Sequence, residues 1–184
     1  SINPEAIARE VVRDIGYDRD ELEFCCDTFE YINRLHGQSP DISQGVTAGQ
    51  GLFEEQGAGD QGMMFGYASN DTEEMMPAPI AYSHRLLDEL QKIRKTGSIP
   101  YLRPDSKSQV SILHIDGKPK SIETVVISHQ TDDVPLDQIR KDLIEVCKKV
   151  LGPTGLLKAD TEYFINPTGK FVIGGPHGDA GLTG

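Results

Sequence analysis

Three short stretches carry residue types that could do chemistry. Gly57-Ala58-Gly59-Asp60-Gln61-Gly62 matches the pattern G-x-G-x-x-G. A dinucleotide fingerprint needs a strand before that pattern and a helix directly after it. Here a glycine-rich stretch precedes it and strand-like Met63-Met64-Phe65-Gly66-Tyr67 follows, so a dinucleotide site is not expected. The plainer reading is a tight turn that launches a strand. The better functional reading is a backbone that a ligand can approach closely, with Asp60 offering a carboxylate to a cation or an amine.

Arg103-Pro104-Asp105-Ser106-Lys107-Ser108 leads into an expected strand. Pro104 stiffens the approach, which fixes Lys107 near the strand's beginning. A lone lysine there would ordinarily be a solvated group at a sheet edge. Two cations flanking a carboxylate also suit contact with a phosphate. The third stretch runs from Asn166-Pro167-Thr168-Gly169-Lys170-Phe171 to Gly174-Gly175-Pro176-His177-Gly178-Asp179. It lacks the G-x-x-x-x-G-K-[ST] of a phosphate loop. Phe171 is either a core aromatic or a face for a nucleobase. In the second case Lys170 lies beside the base and Asp179 meets a ribose or an amine. The five histidines show no metal-ligand spacing, and no serine or cysteine nucleophile is paired with a base.

Bulk composition narrows the classes. The 184 residues suit one domain, or one with pieces of its neighbours. Hydrophobic content is 37% and Trp is absent, enough for a modest core. The net charge of −11 argues against a general nucleic-acid footprint. It leaves room for a local cationic pocket. No apolar run approaches the roughly 20 residues of a membrane span, and no signal peptide is visible, although the first residue need not be the natural start. Three cysteines, Cys25, Cys26 and Cys147, form no C-x-x-C pair and give no disulfide framework or zinc site. A reduced, cytoplasmic setting is expected. Adjacent Cys25 and Cys26 would point to opposite faces of a strand.

The elements that must position these residues can be read from periodicity. Asn3 caps a first helix, Pro4 opens it and Gly16 ends it, with Ile7, Val11 and Ile15 on one face. A β-like run follows at Leu22 to Phe29. Gly37 to Gly59 reads as a long loop. Met63 to Ala68 reads as a strand and Pro79 to Lys95 as a helix stopped by Gly97. Ser108 to Ile115 and Ser121 to Ser128 are strands joined by the hairpin signal Asp116-Gly117. Leu136, Ile139, Leu143, Val146 and Val150 form the stripe of a second helix, spaced 3, 4, 3 and 4 apart. Thr161 to Ile165 and Lys170 to Ile173 are strands around Asn166-Pro167-Thr168-Gly169. The order β-α-β-β-α-β predicts an α+β domain, with a mostly antiparallel sheet and helices on one face.

Four blocks in order resemble the methionine adenosyltransferases, also called S-adenosylmethionine synthetases. They are Gln38-Ser39-Pro40-Asp41-Ile42, then Gly57 to Gly62 leading to Phe65-Gly66-Tyr67-Ala68, then Arg103 to Val110, then Phe171 to Pro176 continuing through Gly178 to Gly184. The resemblance spans essentially the whole chain. It implies a division into the end of a first domain with its gating loop (1–41), a linker (42–56), a central domain (57–173) and the beginning of a last domain (174–184), with partial neighbouring domains of the same kind.

The resemblance implies a reaction in which methionine sulfur attacks C5′ of ATP and the triphosphate leaves, to be hydrolysed to phosphate and diphosphate. It implies that Lys107 is catalytic and contacts the triphosphate. Asp60, Asp105, Ser106, Lys170, Phe171 and Asp179 join Lys107 in binding ATP, with Phe171 against adenine. Gln38, Asp60 and Asp179 meet methionine. Position 170 is Lys where the family often has Arg. Mg²⁺ and K⁺ are implied as cofactors, with no metal ligand inside this chain. The family's His-Pro-Asp-Lys block would precede residue 1 and an Arg-Lys pair would follow Gly184. An internal fragment, inactive alone, is therefore implied. ATP, L-methionine and a homo-oligomer (dimer or tetramer) with its site between subunits are the implied partners. An alternative is a non-catalytic nucleotide-binding or interaction module that pairs with a full-length subunit.

Overall fold

The computed structural model describes residues 2–52 and 54–181. The chain forms two compact units, one of Ser1–Phe29 with Ala68–Gly184 and one of Glu30–Tyr67.

In the larger unit, helix α1 spans Pro4–Ile15, with Asn3 Oδ1 accepting the Ala6 N–H at 3.2 Å. Its stripe of Ile7, Val11 and Ile15 is exposed. Helix α3 (Ala78–Thr96) has Pro79 in its first turn, and its Ala78 N–H is capped by Asp71 at 3.2 Å. Strand β1 (Leu102–Ile115) and strand β2 (Lys118–Thr131) pair antiparallel. Asp116 and Gly117 join them with φ of 51° and 73°. Both central residues are left-handed, as a tight hairpin with the sheet's own twist requires. Helix α4 (Leu136–Leu151) then carries the chain back, and strand β3 (Leu157–Ile165) pairs parallel to β2.

The sheet order is β1-β2-β3. It is α+β as expected but only partly antiparallel: one pair is antiparallel and the other parallel. A helix inserted between two neighbouring strands returns the chain to the end where it began, and that forces parallel pairing. Along β2, Val125 and Ile127 are fully buried, while Thr124, Val126 and Ser128, which alternate with them, are half-buried. The buried row meets Leu86 and Leu90 of α3 and Leu143, Cys147 and Leu151 of α4, each 0% exposed. Each such aliphatic side chain contributes about 1.5–3 kcal/mol by leaving water. Burial pushes the Cys147 thiol pKa up to about 12, so it is an inert packing group.

Several expected elements do not form. Leu22 to Phe29 is not a strand: a 3-10 turn spans Asp20–Leu22, Glu23 turns left-handed at φ 57°, and the Thr28 and Phe29 N–H groups close on Cys25 O. As a result Cys25 and Cys26 are both buried rather than split between two faces. Lys170 to Ile173 is not a ladder strand either. Asn166, at φ 44°, turns the chain, and Phe171 O then accepts the Thr131 N–H at 2.9 Å. Conversely β1 begins earlier than the apolar run suggests, at Leu102.

In the smaller unit the expected loop contains helix α2 (Pro40–Val46). A Cβ on Gly57 would lie 2.3 Å from Gly45 O, so the glycine lets this backbone pack on the helix end. Met63 to Tyr67 forms no ladder, and Met63, Met64, Phe65 and Tyr67 are exposed. Strand-like residues need a neighbouring strand to take up their N–H and C=O groups. No helix follows Gly62, which removes the dinucleotide reading.

Candidate active site

β1 presents its candidate residues on two faces. Ser108 Oγ donates to Ser83 O of α3 at 2.8 Å, so the even-numbered positions turn toward the helices. Ser106 does likewise, lining a cavity with Leu87, Gln91 and Arg94 of α3 and His129 of β2. Lys107 is exposed opposite Ser128, on the sheet face away from the helices. Asp105 falls in the stretch between Leu102 and Ser106 where the pairing shifts register, and its carboxylate accepts the Gly175 N–H. Ser106 and Lys107, neighbours in sequence, thus face opposite sides of the sheet.

The ladder between β1 and β2 is irregular just before this point. Leu102 pairs with Thr131 and Ser106 with His129, four residues against two. Pro104 has no N–H to give. The Asp105 N–H turns instead to the side-chain Oε1 of Gln130, at 3.4 Å. Gln130 Nε2 donates to Val172 O at 2.9 Å, and Gly175 N–H donates to Asp105 Oδ2 at 2.9 Å. The block at 103–108 and the block at 171–175 are thereby stitched together.

Phe171 belongs to the same knot. A Cβ on Gly174 would lie 2.7 Å from the Phe171 ring, 3.0 Å from Asp105 Oδ2 and 3.1 Å from Gln130 Cδ. Gly175 sits at φ +66°, and a Cβ there would meet the Tyr17 hydroxyl at 2.3 Å. Both glycines are required by crowding. Burial, reinforced by the Asp105 carboxylate, raises the Tyr17 pKa, so the phenol stays protonated. Arg103 Nε donates to Asp132 Oδ1 at 2.7 Å beside the knot. A cavity of about 400 Å³ opens there, lined in part by Arg103, Asp132, Ile173 and His177.

The remaining expected site residues have other partners. Lys170 pairs with Asp133 at 2.7 Å, on the α4 side of the Phe171 segment. Asp179 follows the four-residue helix α5 (Gly175–Gly178), with its N–H on Gly175 O at 3.2 Å and its side chain exposed. Gln38 and Asp60 belong to the smaller unit. There Gln38 Oε1 accepts the Ser39 N–H at 3.1 Å and Asp60 Oδ1 accepts the Gln61 N–H at 2.7 Å. Leu182, Thr183 and Gly184, the end of the last block, lie outside the described residues.

Sequence reasoning missed Gln130 and Asn166. The available signal was polarity: His129, Gln130 and Thr131 continue an apolar strand yet are all buried, and buried polar groups need partners. Asn166 supplies one set, its Oδ1 accepting the His129 N–H at 2.8 Å and its Nδ2 donating to His129 O at 3.0 Å. Among the described residues, the grouping of three metal-capable side chains within 4.8 Å is Cys25, Cys26 and Asp27. Thiols suit soft ions and not the oxygen-seeking Mg²⁺ or K⁺, and Asp27 is already paired with Arg13 at 2.7 Å. These residues do not fit the two implied cations.

The α+β layer coincides with a match to the S-adenosylmethionine synthetase central-domain model over residues 55–171. The chain belongs to the S-adenosylmethionine synthetase family. It is similar to the S-adenosylmethionine synthases of Treponema denticola (54% identical over 188 residues), Akkermansia muciniphila (55% over 191) and Desulfosudis oleivorans (50% over 186). In each case the match takes in 100% of this chain and 48% of the relative. The chain thus spans about half the length of the curated relatives it matches. No helix among the described residues is long and apolar enough to cross a membrane.

Proposed function

We propose that this chain supplies the central part of an enzyme that makes S-adenosylmethionine from ATP, L-methionine and water. A lone pair on methionine sulfur forms the bond to C5′ of ATP. The C5′–O bond breaks, and its electrons leave on the triphosphate, which water then splits to phosphate and diphosphate. Sulfur needs no deprotonation, so the protein's tasks are alignment and stabilisation of anionic charge. That accounts for a site with no nucleophile-and-base pair.

The observation that carries this reading is the convergence of Asp105 and Phe171 at Gly174, from blocks 66 residues apart (171 − 105). Phe171 offers a ring to adenine, and Lys107 places a cation on the open sheet face for the triphosphate. Ser106, on the other face, acts in this reading by seating β1. Lys170 borders the base from the Asp133 side. Gln38, Asp60 and Asp179 are assigned to methionine, and Asp60 and Asp179 to the nucleotide as well. Mg²⁺ and K⁺ ligands come from outside this chain. The site closes between subunits of a homo-oligomer in the cytoplasm, and the isolated 184 residues give no turnover.

Kinetics of the full-length protein test the assignment. Phe171→Ala is expected to raise KM for ATP roughly 5- to 150-fold, the loss of one base stack at about 1–3 kcal/mol. Lys107→Met should lower kcat about 100- to 1,000-fold, the scale of one lost charge-stabilising donor. Wild-type values for both variants would defeat the proposal. Nucleotide binding without turnover in the full-length protein would favour a non-catalytic module.

A further inference from the structure

The nucleotide reading leaves one buried side chain without a role. Gln130 is 3% exposed and stands at the end of β2. It is itself assigned no substrate contact, yet its amide is used at both ends. Oε1 accepts the Asp105 N–H and Nε2 donates to Val172 O. It therefore replaces the ladder hydrogen bond that the irregular pairing around Pro104 fails to make. It also ties the segment after Phe171 to the same point. Gly174 packs directly on its Cδ, with the Phe171 ring and the Asp105 carboxylate around the same atom position. A buried amide with both functions satisfied holds one geometry, because any other leaves a polar group unpaired.

We propose that Gln130 is a positioning residue, whose amide fixes the Phe171–Gly175 segment against the start of β1 so that Phe171 and Asp105 face one nucleotide. The proposal rests on the nucleotide reading above and adds the device that sets its geometry. Phe171 itself is joined to β2 by the Thr131-to-Phe171 backbone bond. The following residues, through Gly175, are held by Gln130 and by Asp105, which Gln130 itself orients.

The test uses the full-length protein with Gln130→Met, which keeps the shape and removes both hydrogen bonds, and Gln130→Glu, which keeps Oε1 as an acceptor and loses the donor to Val172. Two readouts are taken. Hydrogen exchange at the Gly175 and Thr131 amides should quicken about tenfold in Gln130→Met, while amides within the β1–β2 hairpin stay unchanged. KM for ATP should rise about tenfold with KM for methionine within about twofold, and Gln130→Glu should fall between wild type and Gln130→Met. Unchanged exchange at Gly175 overturns the proposal. So does faster exchange with an unchanged KM for ATP, and so does a loss in every parameter that follows the melting temperature. Phe171→Ala separates the two readings. If Phe171→Ala raises KM for ATP and Gln130→Met does not, only the positioning role fails. If Phe171→Ala has no effect, the nucleotide assignment itself fails.

Discussion

His129 shows how one side chain can set a pH response. It is 2% exposed, its Nδ1 lies 2.9 Å from Gln130 O, and Asn166 clasps its backbone on both sides. Burial holds its pKa below the ordinary value, with the Arg94 cation acting in the same direction. The unfolded chain titrates its histidine near about 6.5. Below that pH the unfolded state takes up a proton that the fold refuses, so acid favours unfolding. Stability should therefore decline as pH drops from about 7, and level off once the folded ring also protonates. Thermal melts of wild type and His129→Gln across this range should show a shallower slope in the variant. A slope of the same size in both would place the pH response elsewhere. Glu74, by contrast, is held at about 2 by its paired bonds to Arg85 at 2.6 and 2.7 Å. Its contribution is lost only far below the histidine range.

At the scale of elements, α4 decides the sheet's handling. It links β2 to β3, and its buried stripe of Ile139, Leu143, Val146, Cys147 and Leu151 covers the sheet. Leu143 is 0% exposed in the middle of that stripe. Leu143→Ala should cost about 2–5 kcal/mol, a transfer loss plus an unfilled cavity. Chemical denaturation measures it, and a cost under about 1 kcal/mol would mean that the helix collapses into the space. The Asn166 turn is equally particular. Its side chain serves as a substitute strand residue for β2, which releases the backbone to swing Lys170 and Phe171 toward their separate neighbours. The pattern of a second β-hairpin there matched the apolar residues but not this side-chain clasp.

For the whole molecule, the contrast between the two units is one of burial. The core cluster lies wholly in residues 78–165, whereas none of the described residues of 30–67 is buried. Backbone without buried side chains opens at little cost. Limited proteolysis should therefore cut first between residues 47 and 67, leaving the segment from α3 through β3 protected. First cuts inside β1 or α4 would contradict that order. The exposed Met63, Met64, Phe65 and Tyr67 follow the same logic, since a sequence of strand type stays unpaired without a neighbour.

The sequence by itself determined α1, α3, α4 and the β1–β2 hairpin. Helix spacing, the prolines at helix starts and the Asp116-Gly117 turn are local signals, complete within a few residues of chain. It also determined the family, through four blocks in order. Only the tertiary structure decided the parallel placement of β3, the failure of 22–29 and 63–68 as strands, and the meeting of Asp105 with Phe171. Each of these depends on which partner reaches a backbone or side-chain group across long stretches of chain. Pairing satisfies hydrogen bonds between residues far apart in sequence, and no local pattern records which of the available partners arrives.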